Sequence, residues 1–234
     1  MKVAVVTPTI GSEFLRECID SVEAQTYQNL SHYIFIDGSE YNQKVKEILK
    51  GSTKTKLIEL EENIGKEWYG HRVYAACSFL VNADVICYLD EDNWYEPNHV
   101  EEVMKKIEAG ADWAYSLRKV YDKQGNYLCD DNCESLGKWS IWGNNKAYLV
   151  DTSSYAITRD AVANVGHWWC GGWGADRQFF TNLSKKYPNY ECSGEHTVCY
   201  RLDGNERSPG PEFFETGNGF IQKMYGDNYP WHQK

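Results

Sequence analysis

The sequence predicts an α/β fold around a mostly parallel sheet, and three observations carry that prediction. Through residues 1–112, short apolar runs of β-type composition alternate with helical patterns, the signature of strand–helix–strand units. The runs end in turn signals, Thr7-Pro8 after the first and Asp37-Gly38-Ser39 after the second. An acidic triplet, Asp90-Glu91-Asp92, follows directly on the apolar run Val85–Leu89. It therefore stands at the carboxyl end of a strand, where sheets of this class bind their ligands.

Each element has a local reason. The first strand is Lys2–Val6, and a helix follows it with Ser12 as N-cap, Glu13 in its first turn, and Phe14, Leu15, Cys18, Ile19 and Val22 at helical spacing. The second strand is His32–Ile36. A third, Lys56–Leu60, leads through Glu62-Asn63-Ile64-Gly65 into a helix over residues 66–81, and the fourth is residues 84–89. Helical periodicity marks residues 97–108, 159–165 and 175–186. Past Trp113 the chain turns richer in Gly, Asn, Trp and Tyr, which predicts an antiparallel extension with long loops. Tyr121–Asn126 carries the turn of a hairpin, Glu195–Tyr200 is a strand, and from Asn205 the prolines and glycines predict a tail over the surface. Residues 1–112 and 113–234 are the two halves of one continuous domain.

Composition excludes several classes of protein. At 234 residues, 42% hydrophobic, the chain can bury a full core. A net charge of −10 argues against binding nucleic acid, which needs clustered Lys and Arg. No run approaches the ~20 apolar residues of a membrane span, and the apolar part of the first residues is too short for a signal peptide. The expectation is a soluble, cytoplasmic protein. The eight cysteines are scattered, with Cys18, Cys77 and Cys87 in core-like segments, and are read as reduced thiols. Aromatic residues make up 15% of the chain, including 9 Trp and 17 Tyr, a surplus that suggests stacking on a sugar or a base.

The acidic triplet carries the clearest chemistry. Asp90 and Asp92, two residues apart in a tight turn, can converge on one hard divalent cation, and Mg²⁺ or Mn²⁺ typically takes one or two carboxylates plus phosphate oxygens of a substrate. The bland alternative, an acidic turn on a solvated surface, is weakened by the apolar strand that precedes it.

Six segments in register resemble glycosyltransferase family 2. They are Val5-Val-Thr-Pro-Thr-Ile10, Leu15 with Cys18-Ile-Asp-Ser-Val22, Gln25-Thr-Tyr-Gln-Asn29, Ile36-Asp-Gly-Ser39, Glu62-Asn-Ile-Gly65 followed by Arg72, and Leu89-Asp-Glu-Asp92. The resemblance implies a GT-A type α/β/α sandwich, with a nucleotide-sugar-binding half over 1–112 and an acceptor-binding half with a C-terminal tail over 113–234. It further implies metal-assisted transfer, with inversion, of a sugar from a nucleoside-diphosphate donor, most often a UDP-sugar, to a hydroxyl of a glycan or other acceptor.

Position by position, the resemblance implies that Thr7 and Asp37 hold the uracil and ribose, with Pro8 and Thr9 shaping the same loop and Arg72 near the nucleotide. Asp90 would contact the ribose or the metal and its water, Glu91 would lie at the donor, and Asp92 would ligate Mn²⁺ or Mg²⁺, with His196 completing the metal site. Asp203 is the stand-in for His196. Asp176, opening a helix after a Gly-rich turn, would be the general base; the other reading makes it only a helix cap. Trp173 would wall the acceptor or donor sugar, while Trp168 and Trp169 are assigned to core. Two positions depart from the family pattern: Ile36 stands where a second Asp is usual, and Ala175 stands where Glu often precedes the base. The Gln-x-x-Arg-Trp pattern of processive synthases is absent, which favours single additions. Cys129 and Cys133 have a zinc-like spacing but no second pair nearby. Two other readings fit the same residues: a sugar-nucleotide-binding module without catalysis, and a sugar nucleotidyltransferase, against which the loop after strand one offers one Gly and no basic residue.

Overall fold

The computed structural model describes residues 1–66, 69–143, 147–170, 172, 174–202 and 209–232. Its first strand, β1 (Val3–Thr9), sends Val3 and Val5 into one apolar layer and Ala4 and Val6 into the other, because successive side chains of a strand point to opposite faces. Both faces need cover, and helices supply it.

One layer holds α1 (Leu15–Glu23), α2 (Asn42–Ile48) and α4 (His99–Glu108), which bury Cys18, Val22, Val45, Val103 and Met104. The opposite layer holds α3 (His71–Leu80), α5 (Arg159–Val165), α6 (Ala175–Lys186) and α7 (Pro211–Tyr225). The aromatic surplus is spent largely here. Trp113 and Trp169 are fully buried, and Trp169 stacks on Phe179 at 4.1 Å, meets Tyr88 edge-on and lies tilted against Tyr74.

Between the layers runs one nine-stranded sheet. β2 (Leu30–Asp37), β3 (Thr55–Leu60) and β4 (Val85–Tyr88) join β1 as parallel neighbours in the order β3-β2-β1-β4. The order continues β8-β6-β9-β5, through β5 (Trp94–Tyr95), β6 (Trp113–Tyr121), β8 (Tyr155–Thr158) and β9 (Tyr190–Arg201). β8 is antiparallel to both β4 and β6, while β6 and β9 are parallel. β7 (Tyr127–Asp130) returns against the far end of β6 as the expected hairpin, closed by the bond from Asp122 N to Asn126 O. Among the described residues the seven cysteines are free thiols, and no helix is long and apolar enough to cross a membrane.

The segment 42–48 forms a helix that the sequence pattern does not announce, since Val45 is its one buried residue. Two sequence expectations are corrected. The third helix starts at His71 rather than residue 66, because Gly70 (φ 71°) turns the chain into it. The tail beyond residue 209 is the 15-residue helix α7, docked through Phe214 and Ile221. Pro211 misled the reading: at the first turn of a helix its missing N–H costs nothing and its fixed φ fits.

α7 seats where it does because Gly217 has no side chain. A Cβ there would lie 2.6 Å from both Cys133 Sγ and the indole nitrogen of Trp142. Gly217→Ala gains up to about 1 kcal/mol in helix propensity, but overpacking of this kind costs roughly 1–3 kcal/mol. The clash should win, lowering the free energy of unfolding measured in urea by about 1 kcal/mol; an unchanged or raised value would show that α7 is not held through this contact.

Candidate active site

Because β1, β2 and β4 are parallel, their carboxyl ends open on one edge of the sheet. Pro8 and Thr9 from β1, Asp37 from β2 and Asp90, Glu91 and Asp92 after β4 meet there on a cavity of about 690 Å³. Asp37 is 3% exposed, and its two oxygens accept hydrogen bonds from Ile64 N (2.8 Å) and Gly65 N (2.9 Å). A Cβ at Gly65 would sit 2.5 Å from the Asp37 carboxylate, so the close approach requires glycine.

Glu91 lines the cavity but spends its carboxylate on the chain. It accepts from Thr9 Oγ1, Ser12 N (2.8 Å) and Ile10 N (3.3 Å), tying the β1–α1 loop to the acidic turn. Thr7 turns away from the cavity: its fully buried hydroxyl bonds His32 Nε2 at 2.9 Å. Burial pushes His32 down to about 3, so the ring is a neutral core partner. Arg72 is exposed on α3, donates to Ile64 O at 3.4 Å and is not among the cavity-lining residues.

Asp90 accepts from Tyr74 OH at 2.7 Å and lies 3.4 Å from Ser153 Oγ. Burial, with the neighbouring charges of Asp92 and Asp151, pushes its carboxyl up to about 8. Asp92 shares the cavity, and its carbonyl accepts from Arg201 Nε at 3.1 Å. Among the described residues, no three of His, Cys, Asp and Glu gather into a group able to hold a metal by themselves. The expected trio of Asp90, Asp92 and His196 is therefore not assembled. Only Tyr200 and Arg201 at the end of β9 reach the cavity, and His196, four residues before Tyr200, lies about 13 Å back along the strand. There it faces His232 at 5.8 Å and the charges of Asp130 and Asp131, and burial lowers its basicity. Trp173 and Asp203 lie outside the described residues.

A second cavity of about 440 Å³ adjoins the first, and Tyr69, His71, Asp90, Thr152 and Tyr200 line both. Asp176, in the first turn of α6, lines this second space. Its Oδ1 accepts from Arg177 N at 2.7 Å, and burial, reinforced by Asp151, raises its proton affinity. Arg118 from β6 forms the inner wall. At 2% exposure it donates to Asp131 (2.7 Å), Asp151 (2.7 Å) and Glu134 (2.5 Å), with its guanidinium 4.2 Å from the ring of Tyr200. Sequence reasoning missed this cluster and Tyr74. Four charges spread from residue 118 to 151 have no common spacing that a motif could show.

The sequence model described as glycosyl transferase family 2 matches residues 4–159, two thirds of the chain. The chain belongs to glycosyltransferase family 2. Among curated members, glycosyltransferase GlyA of Streptococcus pneumoniae serotype 4 is 30% identical over 151 residues, 62% of this chain and 19% of that protein. An uncharacterized glycosyltransferase of Rickettsia bellii is 28% identical over 137 residues, 54% of this chain and 18% of its own. The chain thus spans about a fifth of the length of these family 2 relatives. In fold it is similar to S. aureus TarS 1-349 crystallised with UDP-GlcNAc, at a TM-score of 0.65 and 13% identity over 97% of this chain and 67% of that one. The same TarS fragment with UDP gives a TM-score of 0.64. The fold is accordingly of the GT-A type expected for the family.

Two outcomes test the electrostatics. Arg118→Met leaves three carboxylates buried without their cation, and breaking such a cluster costs about 3–5 kcal/mol; equilibrium urea unfolding should show a loss of that size, and a loss below about 1 kcal/mol would contradict the description. Folded Asp90 keeps its proton up to about pH 8, whereas an unfolded carboxyl releases it near its ordinary 3.8. Between these values the fold binds one extra proton, so Asp90 makes stability fall as pH rises. Asp90→Asn should therefore be more stable than wild type by a gap that grows from pH 5 to pH 8 and then levels; a gap independent of pH would remove the argument.

Proposed function

We propose that this chain is an inverting glycosyltransferase that moves a sugar from a nucleoside-diphosphate donor, a UDP-sugar, to a hydroxyl of a glycan or other acceptor with the help of Mn²⁺ or Mg²⁺. The observation that carries the reading is the joined pair of cavities, with Asp37 and Asp92 on one, Asp176 on the other and Asp90 on the wall between. The UDP and UDP-GlcNAc of the TarS crystals support the donor class.

Asp37 has used two of its roughly four acceptor positions on the 64–65 backbone, so the other two remain for ribose hydroxyls. Asp92, with Asp90, would hold the cation, since such ions take only one or two carboxylates from the protein and leave room for phosphate oxygens of a substrate. A cation there would offset the charge of the departing diphosphate. Asp176 keeps Oδ2 for the acceptor hydroxyl, and the burial that raises its proton affinity favours taking that proton as the oxygen attacks. Attack from the second cavity on a carbon whose leaving group lies in the first inverts the anomeric centre.

A thermal-shift screen of nucleotide-sugars with and without Mn²⁺ tests donor and metal together, because a ligand at 100 times its Kd adds ~2.7 kcal/mol of stability. UDP-sugars should raise Tm only with the cation; shifts indifferent to chelation would refute the metal. Asp176→Asn should bind donor like wild type and turn over at least ~100-fold more slowly. Wild type that binds donor yet forms no product across an acceptor panel would point to a binding module.

A further inference from the structure

The wall common to the two cavities contains one side chain that the core does not explain. Most aromatic rings of the α3 layer, Tyr74, Tyr88, Tyr155 and Trp169 among them, are fully buried, but Tyr69 is 46% exposed while lining both cavities. Its backbone has φ 52°, a left-handed conformation that L side chains avoid because Cβ crowds the carbonyl oxygen; only Trp142 shares this among the described non-glycine residues. Such a conformation persists where the surroundings impose it, and it clusters at ligand sites.

The surroundings here are specific. Gly70, also left-handed, donates to Gly65 O at 3.4 Å and accepts from Val73 N at 2.9 Å, which clamps the step between the 61–66 loop and α3. The Cβ position at Gly70 lies 3.2 Å from the Pro8 ring, so this step also rests on β1. Gly65 in turn is bound to Asp37. Gly70, the residue next to Tyr69, is thus tied to the 61–66 loop and to β1, and through Gly65 to Asp37 of β2. Its ring lies 6.1 Å from that of His71, another shared wall residue.

Building on the proposed transfer reaction, we propose that Tyr69 determines which sugar is transferred: its ring packs against the apolar C–H face of the donor pyranose where the first cavity opens into the second. An aromatic face suits that surface by area and needs no charge. The nucleoside and diphosphate lie elsewhere in the cavity, near Asp37 and Asp92. Tyr69 should therefore act on the sugar and leave UDP alone.

Calorimetric titration with Mn²⁺ of UDP and of UDP-GlcNAc, UDP-glucose and UDP-galactose, on wild type and on Tyr69→Phe, Tyr69→Leu and Tyr69→Gly, reads this directly. Glycine adopts the left-handed backbone freely, so that variant keeps the loop while losing the ring. The expected result is a preferred UDP-sugar whose advantage over UDP survives in Tyr69→Phe and falls about tenfold in both Tyr69→Leu and Tyr69→Gly, with Kd for UDP within twofold of wild type throughout. Because each ratio is taken on one variant, partial loss of folded protein cancels. Variants that bind UDP and keep the wild-type ratio would overturn the role of Tyr69 alone. Wild type that binds no UDP at all would overturn the glycosyl-transfer reading and this one with it.

Discussion

Arg118 and its three carboxylates are the constraint on which the site depends. The guanidinium joins β6 to Asp131, Glu134 and Asp151, and two of these acids, Asp131 and Asp151, then organise backbone of their own. Asp131 accepts from the amides of Cys133, Glu134 and Ser135, and the Arg118 charge helps to hold its carboxyl below the ordinary range despite full burial. Asp151 accepts from Ser153 N, and Ser153 Oγ accepts from Asp90 N and bonds Asn93. A chain of hydrogen bonds thus runs from the middle of the sheet to the acidic turn. Charges this deep are tolerated only when every partner is present, which makes the arrangement all-or-none and ties the geometry of Asp90 to an arginine 28 positions away in sequence.

The same economy governs the rim of the donor cavity. Asp37 and Glu91 are acids facing a site proposed for a diphosphate, yet both are engaged by backbone amides, which disperse their charge and fix the loops after β1 and β3. Asp90 and Asp92 are different: burial raises the Asp90 carboxyl, Asp92 adds to that by repulsion, and the proposed cation would relieve the repulsion. All three acids of the triplet line the cavity, and the middle one also holds the β1–α1 loop.

The first half of the fold was legible because its signals are local. Apolar runs, turn residues and helical spacing act over fewer than about ten residues, and they located the parallel strands and the acidic turn. The resemblance to the family singled out Asp37, Asp92 and Asp176, and each lines one of the two cavities. Thr7 was misjudged because a strand-end residue can face either layer, and a partner 25 positions away, His32, drew it inward. His196 was misjudged because the reading put a strand at 195–200 without its register: β9 reaches the site only at Tyr200 and Arg201. The tail was misread because Pro211 and the glycines of α7 look like loop residues, although a helix whose close packing requires Gly217 must carry them.

By itself the sequence determined the family, the alternating α/β architecture and the carboxylates at the ends of the parallel strands, all of which follow from short-range order along the chain. Only the tertiary structure decided which of those acids face the cavities and which are spent on the backbone. It also decided that Arg118 pairs with three other acids, Asp131, Glu134 and Asp151, and that Tyr69 stands between the two cavities. The physical reason is that burial and charge pairing depend on distances in space. Residues 118, 131, 134 and 151 acquire their electrostatic meaning only when β6 and the loops beside it close around one guanidinium.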